Sequence, residues 1–159
     1  LHVREHPLEV PHVAGERPEV ARDAEVFKEG KFSLRIAARE ATDAALQQHV
    51  EVTPGAFYVA RGWVRTRDLA PDSRSNVHGT LAVMTPGGAG QGRKIASGPN
   101  LRGTADWTQV HVGFEAPPEG RVRILCFLAG WGTATGTAWF DGIEVVPEEE
   151  ASLALTVTV

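Results

Sequence analysis

The stretch from Gly103 to Val145 has a clear strand pattern and reads GTADWTQVHVGFEAPPEGRVRILCFLAGWGTATGTAWFDGIEV. Val110, Val112 and Phe114 alternate with polar or small residues, which is the period of a strand with one buried face. The Pro-Pro-Glu-Gly segment at 117–120 ends this strand, because proline has no N–H for a ladder and glycine tolerates a turn. An apolar run follows at 122–128, then a loop of small residues at 130–136, and then a second apolar run at 139–145. The stretch therefore predicts three strands joined by two turns.

The rest of the chain repeats this pattern of short alternating runs separated by turn residues. The runs that predict strands lie at 30–36, 48–52, 57–66 and 80–85. The segment 37–45 has a helix-like composition but is short and flanked by strands, so a loop is predicted there. About eight to ten short strands with almost no helix are typical of an antiparallel β-sandwich. We expect one sandwich domain over 1–146, followed by 147–159 as a linker with an extra strand or the start of another domain.

Length and composition exclude several classes of protein. A chain of 159 residues with 42% hydrophobic and 23% charged residues is globular and long enough for one domain with a core. It has no apolar run of roughly 18 residues, so no transmembrane helix is expected, and its first residues lack the apolar segment of a signal peptide. The formal net charge of −4 gives no general attraction for nucleic acid. The single cysteine, Cys126, rules out an internal disulfide and falls in an apolar strand, which predicts a buried, inert thiol.

The chain carries no recognisable catalytic motif. The glycine-rich runs at 88–92 and 130–136 lack the following helix that a dinucleotide-binding loop requires, so hairpin loops explain them. The nucleophile-elbow, zinc-protease and paired-cysteine motifs do not occur. We therefore expect a protein that is not an enzyme.

An outward-facing row on one predicted strand is the first feature with binding chemistry. If alternate residues of this strand face the core, then Arg61, Trp63 and Arg65 face solvent together. Tryptophan offers a flat apolar face to a sugar ring, and arginine offers fixed donors to hydroxyl or carboxylate groups. The alternative is an ordinary amphipathic surface in which loops shield Trp63. Two more aromatic residues favour binding, Trp131 in a loop of small residues and Phe127 on the strand before it.

Four sequence blocks occur in the order that a known family shows. They are GKFSLRI at 30–36, QHVEVTPGAFY at 48–58, DWTQV at 106–110 and WFDGIEV at 139–145. In turn they resemble G-K-x-S-L-x-V, Q-x-V-x-V-x-P-G-x-x-Y, D-W-x-x-V and F-D-D-V of the carbohydrate-binding modules of families 4, 9, 16 and 22. The family's N-x-G-F-E opening is missing, and Gly142 stands where it has a second aspartate. The resemblance implies a galactose-binding-like jelly roll of two antiparallel sheets, usually attached to a secreted bacterial enzyme.

The resemblance also implies a function. It implies a non-catalytic module that binds a polysaccharide or oligosaccharide outside the cell on behalf of an appended enzyme. Net charge and the lack of a long apolar run predict no nucleic-acid or membrane partner. The ligand is expected across the face that bears Arg61, Trp63 and Arg65, bordered by Phe127 and Trp131. Two arginines on one face favour an acidic polymer, such as a uronate or a sulfated glycan. A structural or protein-interaction sandwich with no sugar site is the alternative.

Asp141 places a carboxylate inside an otherwise apolar closing strand. A charge there is costly unless it is paired, hydrogen-bonded or bound to a cation. The resembling modules hold one structural calcium ion between the closing-strand aspartate, a carbonyl of the G-K-x-S-L turn and an acidic residue of the first strand. On this chain those ligands correspond to Asp141, the backbone oxygen of Lys31, and Glu9. The alternative is that Asp141 is solvated or pairs with an arginine.

Overall fold

The computed structural model describes residues 17–88 and 90–151. In these ranges the chain forms seven strands, which are β1 (Glu19–Asp23), β2 (Ser33–Glu51), β3 (Phe57–Pro71), β4 (Val77–Met84), β5 (Lys94–Ser97), β6 (Gly103–Glu115) and β7 (Arg121–Pro147). Residues 148–151 form a helical turn. No helix of this part is long and apolar enough to cross a membrane. The strand expected within 153–159 and the predicted ligand Glu9 lie outside the described residues.

Two strands are much longer than the sequence pattern predicts. β2 continues through the 37–45 segment, so the prediction of a loop there is wrong, and β7 continues through the small-residue segment at 130–136. The pairing between β2 and β7 shifts register three times along these segments, which marks β-bulges or irregular pairing. Bulged strands of small residues lack the strict alternation by which strands are recognised, so the pattern misses them.

The bends in β2 and β7 let both strands pass from one layer to the other. In the first sheet, β1 pairs with the start of β2, and the end of β7, β3 and β6 follow in that order. In the second sheet, the end of β2 pairs with the start of β7, and β4 and β5 follow. All of these pairings are antiparallel, which confirms the predicted antiparallel β-sandwich.

The core lies between the two sheets and is formed by the inward-facing residues of both. Val110, Val112 and Phe114 of β6 are buried, as the alternation predicts. They share one apolar cluster with Ile124 and Cys126 of β7, which belong to the second sheet. Burial raises the pKa of the Cys126 thiol to about 12, so almost no reactive thiolate forms near neutral pH. The prediction of a buried, inert thiol is confirmed.

The outer face of the second sheet carries an apolar cluster of its own. Its members are Ala45, Val77, Ala82, Met84, Leu125 and Phe127. Each of these side chains is less than 10% exposed, so the cluster is a covered apolar layer and not an exposed patch. Several of its members line a cleft on this face.

Candidate functional site

A cleft of about 440 Å³ opens over the apolar outer face of the second sheet. Ala45, Met84 and Leu125 supply its apolar floor, and Phe127 and Trp131 supply an aromatic wall. The loop between β4 and β5 contributes backbone to the lining. The volume falls within the roughly 300 to 1,000 Å³ of small-molecule sites, and an apolar lining with a few polar groups is typical of them.

Trp131 combines exposure with a strained backbone. Its side chain is 49% exposed, and its ring centroid lies 5.7 Å from that of Phe127 at an interplanar angle of 38°. Its φ of 57° lies in the left-handed region, which costs a bulky residue about 1 kcal/mol or more. Such strain persists only where the surrounding structure enforces it, and it is concentrated at functional sites.

Hydrogen bonds from the turn that contains Asp72 and Ser75 hold the bulge that carries Trp131. The backbone N–H of Asp72 donates to the Thr133 carbonyl at 2.8 Å, and the Asp72 carboxylate accepts the Thr133 hydroxyl at 3.1 Å. On the other side of the indole, the Ser75 hydroxyl donates to the Gly130 carbonyl at 3.1 Å. Both flanks of Trp131 are thus fixed, which determines where its ring projects.

The same turn leaves no room for a side chain at position 132. A Cβ atom on Gly132 would lie 2.4 Å from a carboxylate oxygen of Asp72 and 2.4 Å from the backbone nitrogen of Ser75. Hydrogen bonds from the Arg74 guanidinium, and then from Thr133, outweigh desolvation and hold the pKa of Asp72 well below its usual range. The carboxylate that anchors the bulge is therefore ionised at neutral and mildly acidic pH.

Arg123 is a buried cation in the lining of the cleft, only 1% exposed. Its guanidinium donates to the backbone carbonyls of Thr85, Gly88 and Gln91 at 2.8, 3.1 and 2.6 Å. It also donates to the side-chain oxygen of Gln47 at 3.3 Å. These acceptors replace the water that a buried guanidinium loses, so the charge is tolerated and the loop between β4 and β5 is fixed in place.

Charged groups of both signs lie around the cleft. The Lys94 ammonium is 5.6 Å from the Trp131 ring centroid, and Asp43 belongs to the lining. Asp43 is the only carboxylic acid among the described residues that line the cleft. The cleft therefore combines charged, polar and aromatic groups, which can bind a ligand.

The structure separates the predicted ligand-binding residues into two groups. Phe127 and Trp131 lie together on the outer face of the second sheet, whereas Arg61, Trp63 and Arg65 lie along β3 on the outer face of the first sheet. The expectation that Phe127 and Trp131 border the arginine row is therefore wrong. The cause is the bend in β7, whose first half pairs with β4 in the second sheet while only its second half pairs with β3.

All three members of the row on β3 face outward, as the alternation predicts, but each already has a neighbour. Arg61 Nε lies 2.6 Å from Glu144 Oε1, so this guanidinium is ion-paired. The Lys28 ammonium lies 4.6 Å from the centroid of the Trp63 ring. The Arg65 guanidinium lies 5.7 Å from the centroid of another tryptophan ring on the same face. Among the described residues, Arg61 is therefore held by a counter-charge, whereas Trp63 and Arg65 have ring–cation contacts.

Backbone N–H groups surround the predicted calcium ligand Asp141. Its Oδ2 accepts from the N–H groups of Lys28 and Glu29 at 2.8 and 2.9 Å, and its Oδ1 accepts from Gly142 at 2.8 Å. Lys31 is exposed in the turn before β2. Among the residues that the structure describes, no three His, Cys, Asp or Glu side chains group around a metal position. These hydrogen bonds compensate the charge of Asp141, and calcium there stays a prediction.

Sequence reasoning missed the groups that hold the cleft together. Arg123 had a signal, since it interrupts an apolar run on the side of the strand that also bears Phe127, and a buried charge needs partners. Asp72 and Ser75 gave no signal, because they lie in a polar segment and act on a bulge far along the chain.

Comparisons with known proteins place the fold. No family model and no curated protein matches the sequence. Among solved structures, TmCBM61 in complex with β-1,4-galactotriose is 16% identical with a TM-score of 0.57, over 89% of this chain and 89% of that chain. The CBM22-2 xylan-binding domain of Paenibacillus barcinonensis Xyn10C is 14% identical with a TM-score of 0.61, over 86% and 90% of the two chains.

A third match shows that the same fold also occurs within a larger protein. The enzymatically active domain of bacteriophage CBA120 tailspike protein 4 is 16% identical with a TM-score of 0.62, over 89% of this chain but 19% of that chain. Structures of families 4, 16 and 22 match over most of this chain. This protein has the β-sandwich fold of the carbohydrate-binding modules, which confirms at the level of the fold the resemblance read from the sequence blocks.

Proposed function

We propose that this protein is a non-catalytic carbohydrate-binding module whose cleft on the second sheet binds a polysaccharide. The observation that carries the proposal is Trp131, which is half exposed, held at a positive φ and paired with Phe127 over an apolar floor. Backbone strain of this kind is concentrated at functional sites, which supports a binding role for the ring. An exposed ring above an apolar floor offers a stacking surface to the C–H face of a sugar.

Polar groups around the aromatic wall would orient the stacked sugar. Gln91 and Asp43 in the lining, and Lys94 beside the ring, supply donors and acceptors for hydroxyl groups. The neighbours in fold include a structure solved with β-1,4-galactotriose and a xylan-binding domain. Those ligands support a linear polysaccharide as the class of ligand for this chain.

A glycan array followed by calorimetry tests the proposal. Trp131→Ala should weaken binding of the glycan that the array identifies by about 1 to 3 kcal/mol, by analogy with the stacking of one base on one aromatic ring. Phe57→Ala is the matched control, because Phe57 is an aromatic residue of the first sheet that is 55% exposed. If no glycan binds, or if Trp131→Ala binds as tightly as the native protein, the structural sandwich without a sugar site is the better description.

The proposal extends to an acidic polymer. Lys94 is an exposed cation beside the ring on which the sugar would stack, and it forms no ion pair among the described residues. A uronate or sulfated glycan would place its charge near this ammonium. Binding should then weaken as salt rises, since the screening length is about 10 Å at 0.1 M ionic strength. Preference for a neutral glycan, with an affinity that is flat across salt concentration, would count against this extension.

We also propose that the module acts outside the cell, attached to an enzyme. The support is a solved structure of xylanase 10B of Clostridium thermocellum, in which CBM22-1 and GH10 modules occur together and which matches 85% of this chain over 25% of its own. A binding module raises the effective concentration of its enzyme at the polymer. An antibody against this domain should detect a larger protein in the secreted fraction of the source cells, and detection only inside the cells would contradict this.

One structural calcium ion is proposed for the corner around Asp141. A Cβ on Gly142 would lie 2.5 Å from Glu29 Oε1, so the Glu29 carboxylate reaches the same corner. Two carboxylates, with a backbone carbonyl such as the Lys31 oxygen that the family resemblance implies, are hard oxygen ligands of the kind calcium prefers. A bound ion would tie the turn before β2 to β7.

Chelation tests this ion directly. An ion that binds only the native state raises the melting temperature by mass action. EDTA should therefore lower the melting temperature, and Asp141→Ala should remove that sensitivity. An unchanged melting curve in excess chelator, with no metal found by elemental analysis, would show that the site holds no ion.

A further inference from the structure

We propose that the outer face of the first sheet carries a second binding site, in which Arg65 and Arg67 bind carboxylate or sulfate groups of an acidic polysaccharide. The site lies on the sheet opposite the cleft, and its argument is independent of the function proposed for the cleft. The overall charge of −4 means that any attraction for a polyanion must come from a local group of cations such as this one.

Trp139 supports the two arginines of this site, and it is only 2% exposed although it lies on an outer face. The guanidinium carbons of Arg65 and Arg67 lie 5.7 and 5.2 Å from the centroid of its ring. The indole N–H donates to Asp23 Oδ2 at 2.9 Å, so the ring is held by its edge. Asp23 also accepts from Arg35 at 3.0 Å, which fixes the carboxylate in turn. The ring is therefore a rigid support for the two guanidinium groups.

The two arginines on this ring differ from the others on the same face in lacking a counter-charge. Arg35 is paired with Glu19 and Asp23, and the arginine at position 61 is paired with a glutamate of β7. Within the part of the chain that the structure describes, neither Arg65 nor Arg67 forms an ion pair. Two like charges held on one ring repel each other, and a bound anion would relieve that repulsion.

The arrangement suits the acidic groups of a polymer better than a single small anion. Arg65 and Arg67 are alternate residues of one strand, so their Cα atoms are about 7 Å apart. Each presents a planar fork of donors that matches a carboxylate or sulfate oxygen pair. Along the same strand comes Trp63, half-buried, with the Lys28 ammonium 4.6 Å from its ring centroid. Lys28 likewise forms no ion pair among the described residues.

This row of alternating rings and cations favours a glycan over an acidic peptide. A sugar ring has an apolar face that can contact the exposed part of the Trp63 ring while its acidic group reaches the arginines. An acidic peptide offers charges but no flat apolar face at each repeat. Polygalacturonate is therefore the probe for the proposal, and polyglutamate of similar length is the probe for the alternative.

The test is a binding titration of the double variant Arg65→Gln/Arg67→Gln at low salt. Its affinity for polygalacturonate should fall by at least about tenfold, since each lost hydrogen bond to a charged group is worth more than one factor of ten. The control is Arg39→Gln/Arg121→Gln, which removes the same charge at two exposed positions and should bind within about twofold of the native protein. Trp131→Ala should leave this part of the binding in place, which separates the site from the cleft.

Three results would overturn the proposal. They are equal losses in the double variant and its control, no loss in either, and competition by polyglutamate as strong as that by polygalacturonate. Because removing both guanidinium groups uncovers Trp139, melting curves are recorded for each variant. If the glutamine variant does not fold, Arg65→Lys/Arg67→Lys keeps the charge and removes the forks. It should still bind more weakly than the native protein, and native-like affinity in it would equally contradict the site.

Discussion

Trp131 on the outer face of the second sheet is 49% exposed, whereas Trp139 on the outer face of the first sheet is 2% exposed. Both lie on β7 and neither belongs to the core between the sheets. Trp139 is covered, because two arginines lie over its ring and Asp23 accepts its N–H. Trp131 lies on a bulge of β7, is exposed, and lines a cleft with an apolar floor. Two residues of one type on one strand thus acquire different roles from their surroundings.

Strand parity alone therefore does not identify a binding surface. Both outer faces present aromatic and charged side chains. On the first sheet aromatic rings and cations contact one another, whereas on the second sheet a cleft lies over an apolar floor. Substitution of the residues that fix each tryptophan should change the properties of its face.

Removal of Arg123 should have the largest effect. Arg123→Met leaves buried carbonyl groups without their donor, and with about 1 to 3 kcal/mol for each unsatisfied buried group we expect the free energy of unfolding to fall by about 3 kcal/mol. Glycan affinity should fall as well, since the loop between β4 and β5 loses its anchor. Denaturant unfolding measures the free energy of unfolding. The control is Arg121→Met, at a half-exposed position two residues earlier, and its free energy of unfolding should stay within about 0.5 kcal/mol of that of the native protein. A loss below about 1 kcal/mol for Arg123→Met would show that other contacts hold the loop.

Gly132→Ala should displace the backbone that positions Trp131 while leaving the indole ring in the protein. The added Cβ would meet backbone and a carboxylate at 2.4 Å, so the bulge must shift, at an expected cost of about 2 kcal/mol in stability together with weaker glycan binding. Gly113→Ala is the matched control, because a Cβ there meets nothing within 4 Å and should be neutral or stabilise by about 0.5 kcal/mol. Native-like binding by Gly132→Ala would mean that the position of the indole is not what the ligand recognises.

On the first sheet, Asp23 is the residue that holds Trp139 in place, because its carboxylate accepts the indole N–H. Burial alone would raise its pKa, but hydrogen bonds from Trp139, two backbone N–H groups and Arg35 outweigh it and lower the pKa from 3.8 to about 2. The unfolded carboxyl therefore binds its proton at a higher pH than the folded one. The stabilisation is present above pH 3.8 and is lost as the pH falls toward 2.

Asp23→Asn measures that contribution. It should lower the free energy of unfolding at pH 7 by about 1 to 2 kcal/mol, which allows for solvent screening of the partly exposed Arg35. It should also flatten the decline of stability between about pH 4 and pH 2. Unfolding curves across this range check both effects. An acid decline in the variant that runs parallel to that of the native protein would assign it to other carboxylates.

Much of the fold follows from local pattern. The alternation of Val110, Val112 and Phe114 predicts both a strand and its buried face, because a sheet with one covered face imposes a period of two. The continuation of β2 through 37–45 and of β7 through 130–136 does not follow. Those segments of small residues become strands only by pairing with each other across a long separation in sequence, and that pairing depends on the tertiary structure.

The candidate site is predictable to a smaller extent. Trp131 could be singled out, since a tryptophan among glycines and threonines has no local core to join. Its separation from the row on β3 could not, because it results from the bend of β7. The partners of that row come from distant segments as well. Glu144 lies 83 residues after Arg61, and no periodicity in the sequence records such a contact.

A paired titration tests whether the sugar binds on the second sheet. It compares Trp131→Ala and Trp63→Ala against a neutral polysaccharide that binds the native protein. Melting curves first establish that both variants fold. Trp131→Ala should lose about 1 to 3 kcal/mol of binding free energy, whereas Trp63→Ala should bind within about twofold of the native protein. Loss of binding by Trp63→Ala with native affinity in Trp131→Ala would contradict the account and place the sugar on the first sheet.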